Sequence, residues 1–318
     1  MLPHASRTKG PWLALLLLSA CGSTAGDDLA PDASADAAAT SDAGEVARDA
    51  SAPDDGGWDA GPLVPEDGGV DALPTILMDR LVVQSQVEPF RGDQPSLPGD
   101  AAVERVQQAL ADEGFDVTVD GWFGNETAAA YSGWQERLGY SGLDANGIPG
   151  PTSLRALGEG RFIVERPVMV GGRTTHSGST VNQRTRDMLD EARSMLDHDI
   201  RVTQGSYNAG GVAASAGTHD GGGSVDVSVR DLSTTQRWET VRAMRRVGFA
   251  AWLRTASQGP WPDHIHAIAV GDTDLSSGAR NQVADYYVGR NGLASHAGDN
   301  TPAAYQVPFT WWEKYLRE

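Results

Sequence analysis

Residues 217–229 read GTHDGGGSVDVSV and contain the strand pattern on which the C-terminal half is built. The last six residues alternate strictly between a polar residue and valine, which predicts a strand with one polar and one apolar face. Asp226 lies on the polar face and can line a cleft. The glycines at 221–223 allow the preceding loop to fold back, so that His219 and Asp226 can converge.

Two amphipathic helices flank this strand. Thr180 and Gln183 form a capping box for the first helix, and Ser233 and Gln236 form another for the second. Each helix has a single apolar stripe, which is typical of packing against a sheet. Residues 161–318 are therefore predicted to form an α+β domain.

A second polar pattern is WPDHIH, residues 261–266. Pro262 predicts that a strand begins near Asp263, and in an extended segment His264 and His266 project to the same side. The two patterns together supply His, Asp and His, which suit a catalytic Zn²⁺ that keeps its fourth position open for water. Two alternatives remain: the histidines are packed strand residues, or the triple glycine is a phosphate cradle, although no Lys follows it.

Residues 95–160 carry the signals of a small three-helix bundle. Asp100 is the predicted N-cap of the first helix, and Asn125 that of the second, which stops at Gly139. Pro151 occupies the first turn of the third helix. A unit of this size is marginal but feasible as an independently folded domain.

The segment from 97 to 158 resembles the peptidoglycan-binding domain of bacterial wall hydrolases. The resemblance rests on two half-repeats, DGWFG at 120–124 and GIPGPT at 147–152, each of which leads into a helix. It implies that the bundle binds peptidoglycan. Phe123 is expected to pack in the core, and Trp122 is the candidate wall contact.

The C-terminal patterns resemble the zinc D-Ala-D-Ala peptidases and the wider group that these form with lysostaphin-type peptidases and the hedgehog domain. The matching stretches are GTHDGGGSVD at 217–226 and DHIH at 263–266. The resemblance implies an antiparallel sheet, Zn²⁺ as the cofactor and hydrolysis of an amide bond in peptidoglycan. The implied roles are zinc ligation by His219, Asp226 and His266, activation of the bound water by Asp263 as base, and transition-state stabilisation by His264.

The substrate-binding part of the resemblance is incomplete. Residues 202–208 lack the arginine that these enzymes often carry upstream of the first ligand. Gln204 or Tyr207 can replace it as a neutral donor to the substrate carbonyl, at a lower electrostatic benefit than a guanidinium. Trp261 is a candidate for shaping the substrate cleft, with core packing as its alternative role.

Residues 1–21 have the pattern of a secretory signal, with Arg7 and Lys9 before an apolar run. The run is shorter than the roughly 20 apolar residues that a membrane-spanning helix needs. Its end, Leu18-Ser19-Ala20-Cys21, resembles the lipobox of bacterial lipoproteins, which implies a lipid anchor at Cys21. Gly22 implies sorting to the outer membrane, so an exported protein that faces the periplasm is expected.

Residues 22–75 are predicted to be a disordered stalk. They hold 13 Asp or Glu and one Arg among mostly small residues, and cannot bury enough apolar area to fold. Most of the formal net charge of −18 comes from this segment. The rest of the chain offers no basic surface, which excludes nucleic acid as an expected partner. A single cysteine excludes an internal disulfide.

Two functions from different classes fit these patterns. The first is a lipid-anchored zinc peptidase of the cell wall, acting on stem peptides as a D,D-carboxypeptidase or an endopeptidase. The second is a non-catalytic peptidoglycan-binding lipoprotein that tethers membrane to wall, which the missing arginine favours. A glycan-cleaving hydrolase would need two carboxylates that flank a sugar cleft, and no pair has a spacing that singles it out.

Overall fold

The computed structural model describes residues 72–90 and 99–318, which all belong to one compact unit, Asp67–Glu318. The predicted signal segment with Cys21 and nearly all of the predicted stalk lie outside the described residues. None of the described helices is long and apolar enough to cross a bilayer. The unit combines helices with mainly antiparallel strand pairs, which confirms the mixed helix and sheet composition.

The first described elements are a strand and a helix that no sequence pattern predicted. Strand β1 (Thr75–Leu77) leads directly into helix α1 (Met78–Val87). Nearly every side chain of α1 is buried, which is typical of a helix in the centre of a protein. Its polar residues have partners, as Gln86 accepts from the Gly271 amide and donates to the Asp272 carbonyl.

The predicted three-helix bundle is confirmed, and Asp100 caps its first helix by accepting from the Ala102 amide at 2.8 Å. The prediction for the second helix is wrong in detail. Gly124 is the N-cap, and Asn125 is the first helical residue, whose side chain donates to the Pro89 carbonyl instead. The helices are α2 (Ala101–Asp112), α3 (Asn125–Arg137) and α4 (Pro151–Gly158).

Each half-repeat of the bundle is closed by a buried glutamine from the preceding helix. The side-chain oxygen of Gln107 accepts from the Gly121 amide, and that of Gln135 accepts from the Gly147 amide. Both glycines have left-handed backbones, with φ of +74° and +76°. A Cβ at either position would collide with the backbone of another segment. The two turns therefore need glycine both for conformation and for close approach.

The C-terminal segment is built around a four-stranded antiparallel sheet. Its elements, in chain order, are β2 (Ile163–Glu165), β3 (Arg173–His176), β4 (Ser179–Asn182), α5 (Gln183–Ser194), β5 (Val202–Gln204), β6 (Ser224–Ser228), α6 (Thr234–Arg246), β7 (Phe249–Arg254), β8 (His264–Ala269), α7 (Ser277–Tyr287) and α8 (Trp312–Tyr315). Strand β2 pairs in parallel with β1. The sheet has the strand order β5-β6-β8-β7, and β3 and β4 form a separate hairpin.

Strand β6 confirms the predicted alternation. Val225 and Val227 are fully buried in the core that the sheet forms with α5 and α6. Asp226 points to the opposite face, where Trp252 and Ile268 of the neighbouring strands join a second core. The sheet thus separates two cores and presents Asp226 on the face that leads to α7.

One of the two predicted capping boxes is confirmed. At the start of α6, the Ser233 hydroxyl accepts from the Gln236 backbone amide, and the Gln236 side-chain oxygen accepts from the Ser233 backbone amide. The box predicted from Thr180 is wrong, because Thr180 lies within β4 and Asn182 caps α5 by accepting from the Thr185 amide. Strand pairing in the hairpin has displaced the helix start by two residues.

The bundle and the sheet share one core. A single cluster of buried residues includes Val106 of α2, Leu81 of α1 and Trp252 of β7. Polar bonds reinforce it, since the guanidinium of Arg280 on α7 donates to the carbonyls of Ser85 and Asn146. The bundle is therefore packed into the C-terminal segment.

Candidate metal centre

Two strands and one loop bring His219, Asp226 and His266 together. Asp226 on β6 pairs across the ladder with His266 on β8, so both side chains leave the sheet on one face. Nδ1 of His266 lies 2.8 Å from Oδ1 of Asp226, and Nε2 of His219 lies 3.3 Å from the same oxygen. One ligand atom from each residue lies within 4.8 Å of the other two. The three side chains can therefore hold one ion.

The loop that carries His219 is held against residues 272–276. The Gly222 amide donates to the Asp274 carbonyl at 2.8 Å, and a Cβ at Gly221 would collide with that same carbonyl oxygen. Glycine is thus required here by close backbone contact as well as by the fold-back that the sequence predicted.

Each imidazole is oriented by a hydrogen bond on its outer nitrogen. Nδ1 of His219 donates to the Gly205 carbonyl at 2.9 Å, and Nε2 of His266 lies 2.7 Å from the side-chain oxygen of Gln282. Nε2 of His219 and Nδ1 of His266 are therefore the ring nitrogens that face Asp226. Metal-binding histidines characteristically have such outer partners.

The electrostatics of the cluster favour a bound cation. Burial lowers the pKa of His266 to about 4, so its ring is neutral at pH 7. Burial also raises the pKa of Asp226, but the contacts with His219 and His266 outweigh it and hold that pKa well below its usual range. An ionised carboxylate thus lies beside two imidazole nitrogens in a buried cluster, which attracts a divalent cation. The donor set fits Zn²⁺.

His264 stands beside this cluster. Its Nε2 lies 3.7 Å from Oδ1 of Asp226, and its Nδ1 donates to the Pro262 carbonyl at 2.7 Å. In a neutral ring this bond places the proton on Nδ1 and the lone pair of Nε2 on the cluster side. The edge of the Trp261 indole meets the His264 ring, with 6.3 Å between ring centroids.

Asp263 does not lie beside the cluster, which corrects the role that the resemblance implied for it. Its carboxylate accepts from the Ala256 amide at 3.0 Å and pairs with Arg237 at 3.1 Å. Side chains of an extended segment alternate between faces, so Asp263 points away from the face shared by His264 and His266. It cannot activate a water at the cluster in this arrangement.

An open cavity of about 300 Å³ leads to the cluster. Gln204 and Trp261 line it, as proposed for substrate-binding residues, and Nε1 of Trp261 has no hydrogen-bond partner among the described residues. The Gln204 amide donates to the Ser215 hydroxyl at 2.9 Å. Asp226 is the only carboxylate among the described residues that line this cavity.

Tyr207 does not reach this cavity, which corrects its predicted role as a substrate donor. Its hydroxyl donates to Asp274 at 2.6 Å, and Arg173 stacks on its ring at 4.0 Å. The neighbouring Asp272 is fully buried, and its burial and the charge of Asp274 raise its pKa above the usual range. Tyr207 therefore belongs to a buried acidic cluster behind the loop.

We expect Asp272→Asn to gain stability relative to the wild type as the pH rises from 4 to 7. A raised pKa means that the folded state binds the proton more tightly than the unfolded chain, so ionisation of Asp272 costs stability as the pH increases. The variant avoids this cost, which is on the order of 2 kcal/mol. Urea unfolding at both pH values measures the difference, with the exposed Asp231→Asn as control. A difference that is equal at pH 4 and pH 7 would contradict the raised pKa.

Gln282 and Arg254 are among the cavity residues that the sequence did not predict. Gln282 on α7 orients His266, and Arg254 at the end of β7 lines the cavity wall. Neither residue lies in a recognisable motif. Only the pairing of β7 with β8 and the packing of α7 on the sheet bring them to the cluster.

The aromatic side chains of the bundle are mostly structural. Phe123 is fully buried, as expected, and the Trp134 indole is buried and donates to the Ser153 carbonyl at 3.0 Å. Trp122, the candidate wall contact, is only 8% exposed and borders a second, smaller cavity. Any contact of Trp122 with the wall is therefore confined to its exposed edge.

A family model described as a peptidoglycan binding domain matches residues 99–157. The match spans the bundle and both of its glycine turns, which confirms that part of the sequence prediction. No curated protein and no solved structure matches the chain. The bundle is thus similar to peptidoglycan-binding domains, which supports an association of the protein with the cell wall.

Proposed function

We propose that this protein is a zinc peptidase of the cell wall that hydrolyses an amide bond in peptidoglycan stem peptides. The proposal is carried by the convergence of His219, Asp226 and His266 in an open cavity, with the outer nitrogen of each ring already bound to a protein oxygen. The peptidoglycan-binding domain in the same compact unit supports a wall substrate.

In this proposal, His219 Nε2, Asp226 Oδ1 and His266 Nδ1 hold the metal. A Zn²⁺ bound there supplies an activated water and polarises the scissile carbonyl. The hydroxyl of the water goes to the carbonyl carbon, the carbon–nitrogen bond breaks, and the proton of the water goes to the leaving amino group.

His264 is the residue proposed to carry the proton. The Pro262 carbonyl holds the proton of the neutral ring on Nδ1, so that Nε2 can accept a proton in the cavity and pass it to the leaving amine. Asp263 is bound by Arg237 and the Ala256 amide and takes no part in this proposal.

The proposal extends to the site of action. The pattern of residues 1–21 supports export, and Cys21 supports a lipid anchor in the outer membrane facing the periplasm. The acidic segment 22–75 would then separate the anchor from the wall. Residues 161–318 form the peptidase-like part of the proposed enzyme.

A second candidate function is a non-catalytic tether between membrane and wall. The position of Asp263 favours it, because the cavity then lacks the carboxylate base that the resemblance implies. In this function the metal centre stabilises the fold, and the peptidoglycan-binding domain alone contacts the wall.

The test is metal analysis and muropeptide digestion with the chain from residue 22 onward. The wild type is expected to hold about one Zn²⁺ per chain and to release new peptide products, and His219→Ala is expected to lose both. His264→Gln is expected to keep the metal and to lose about 100-fold or more in turnover. Asp263→Asn, the matched control on the same strand segment, is expected to keep the metal and activity within about threefold.

The outcomes separate the candidate functions. Bound zinc without products in the wild type would favour the tether. Loss of turnover in Asp263→Asn with retention in His264→Gln would restore Asp263 as the base and overturn the proton path. A wild type that binds no divalent metal would end the peptidase proposal.

A further inference from the structure

The cavity contains a buried positive charge that the proposed hydrolysis has not used. Arg254 is the last residue of β7 and only 3% exposed, and it pairs across the ladder with His264. It lines the same cavity as the metal cluster. A buried guanidinium is costly unless its charge and its donors are satisfied.

The hydrogen bonds of Arg254 are incomplete. Nη1 donates to the Asn291 carbonyl at 2.6 Å, and the guanidinium stacks over the Trp252 ring at 4.9 Å. Nη2 is buried and has no partner in the described part of the chain. Burial lowers the pKa of Arg254 to about 10, so the side chain is still charged at neutral pH.

The charge balance of the cavity points to an anionic ligand. Asp226 and Arg254 are the only Asp, Glu, Lys or Arg side chains among the described residues that line it. With a divalent cation on Asp226, the side chains that line the cavity have a net positive charge. Of the carboxylates that act on Arg254, which are Asp226, Asp299 and Asp285, the one with the largest effect is then taken up by the metal. An anion in the cavity would relieve this excess.

The position of Arg254 matches a carboxylate close to the scissile bond. The pair Arg254 and His264 lies one step along the sheet from the pair Trp252 and His266, on the same face. The guanidinium lies close enough to the cluster for Asp226 to raise the pKa of Arg254 and for Arg254 to lower that of His266. A C-terminal carboxylate lies one residue beyond the scissile carbonyl of the last amide bond, so a substrate bound with that bond at the metal brings its carboxylate into the same part of the cavity.

We propose that Arg254 binds the C-terminal carboxylate of the substrate, so that the cavity accepts the free end of a stem peptide and the bond hydrolysed is its last amide bond. This inference rests on the proposed peptidase function and selects a carboxypeptidase over an endopeptidase. Arg254 is a specificity-determining residue, and the ligand it recognises is a carboxylate.

The test compares a synthetic stem peptide that has a free C-terminus with the same peptide as a C-terminal amide. Both retain their side-chain carboxylates, so a preference for the acid identifies the terminal group. Isothermal titration calorimetry uses zinc-loaded His264→Gln, in which turnover is expected to be at least about 100-fold slower than in the wild type. It is expected to show at least about tenfold tighter binding of the acid.

Variants at Arg254 assign the preference to this side chain. Adding Arg254→Gln to the His264→Gln protein is expected to weaken binding of the acid peptide to the level of the amide peptide. Binding of the amide peptide is expected to stay within about twofold of that in His264→Gln alone. Arg254→Lys retains the charge without the planar fork and is expected to fall between the two. Arg193→Gln, at a surface arginine that pairs with Asp199, is the matched control and is expected to keep the full preference.

Equal binding of acid and amide in the zinc-loaded protein would overturn the inference, even if Arg254→Gln does not fold. A preference that persists in a folded Arg254→Gln variant would also overturn it. If Arg254→Gln lowers turnover of acid and amide equally, Arg254 acts on the reacting carbonyl instead, and the inference fails. An Arg254-dependent preference without any hydrolysis would uphold the carboxylate site and overturn only the peptidase function.

Discussion

Asp226→Asn is expected to lower zinc affinity by more than about 100-fold and to abolish hydrolysis. Asp226 is the one carboxylate of the ligand set, and its Oδ1 faces the free nitrogen of both His219 and His266. The asparagine oxygen has no negative charge to offset the cation, so the shape of the site is kept while its attraction for a divalent ion is lost. Competition with a chromophoric chelator measures the affinity.

The same substitution is expected to destabilise the metal-free protein by about 1–2 kcal/mol, because Arg254 loses the carboxylate that has the largest effect on its charge. Adding Arg254→Gln is expected to recover part of that loss, which a double-mutant cycle of urea unfolding would report. Strictly additive free energies would show that the two charges are independent. Zinc affinity that survives Asp226→Asn would remove this residue from the ligand set.

Gly147→Ala is expected to destabilise the protein by about 3 kcal/mol or more. Its φ of +76° strains any residue with a Cβ, and the new methyl group would collide with the Ala128 carbonyl oxygen. That oxygen belongs to the backbone of α3 and cannot move aside without disturbing the helix. For a chain of this size the midpoint of thermal unfolding is expected to fall by about 6–12 °C, as followed by circular dichroism.

Gly139→Ala is the matched control for this prediction. Gly139 has a φ of +92°, but no atom of another segment lies within 4 Å of the place that a Cβ would take, so only backbone strain of about 1 kcal/mol is expected. Equal shifts for the two variants would show that the contact with α3 contributes nothing.

Local patterns predicted those parts of the fold that depend on neighbouring residues. The alternation of Ser224 to Val229 predicted β6, and Asp100 predicted the start of α2, because strand faces and helix caps are set within a few positions. The same alternation rule, applied to residues 263–266, would have placed Asp263 opposite His264. The resemblance supplied a role for Asp263 that its backbone position does not support.

The remainder of the site depends on how distant segments pack. Arg254 reaches the cavity only because β8 lies between β6 and β7, and Gln282 only because α7 lies on that face of the sheet. No short-range pattern encodes the strand order. Helix α1 was missed for a related reason, since it is buried all round and therefore lacks an amphipathic stripe.

The continuous core between the bundle and the sheet prevents the two parts from moving independently. Leu81 and Trp252 belong to one buried cluster, and Arg280 ties α7 to the loop at Asn146. A binding domain on a flexible linker could change its orientation relative to the rest of the protein. Here the bundle and the cavity have a fixed relative orientation, so binding through the bundle would also fix the orientation of the cavity. Binding of the bundle to peptidoglycan would therefore determine which peptidoglycan strands the cavity can reach.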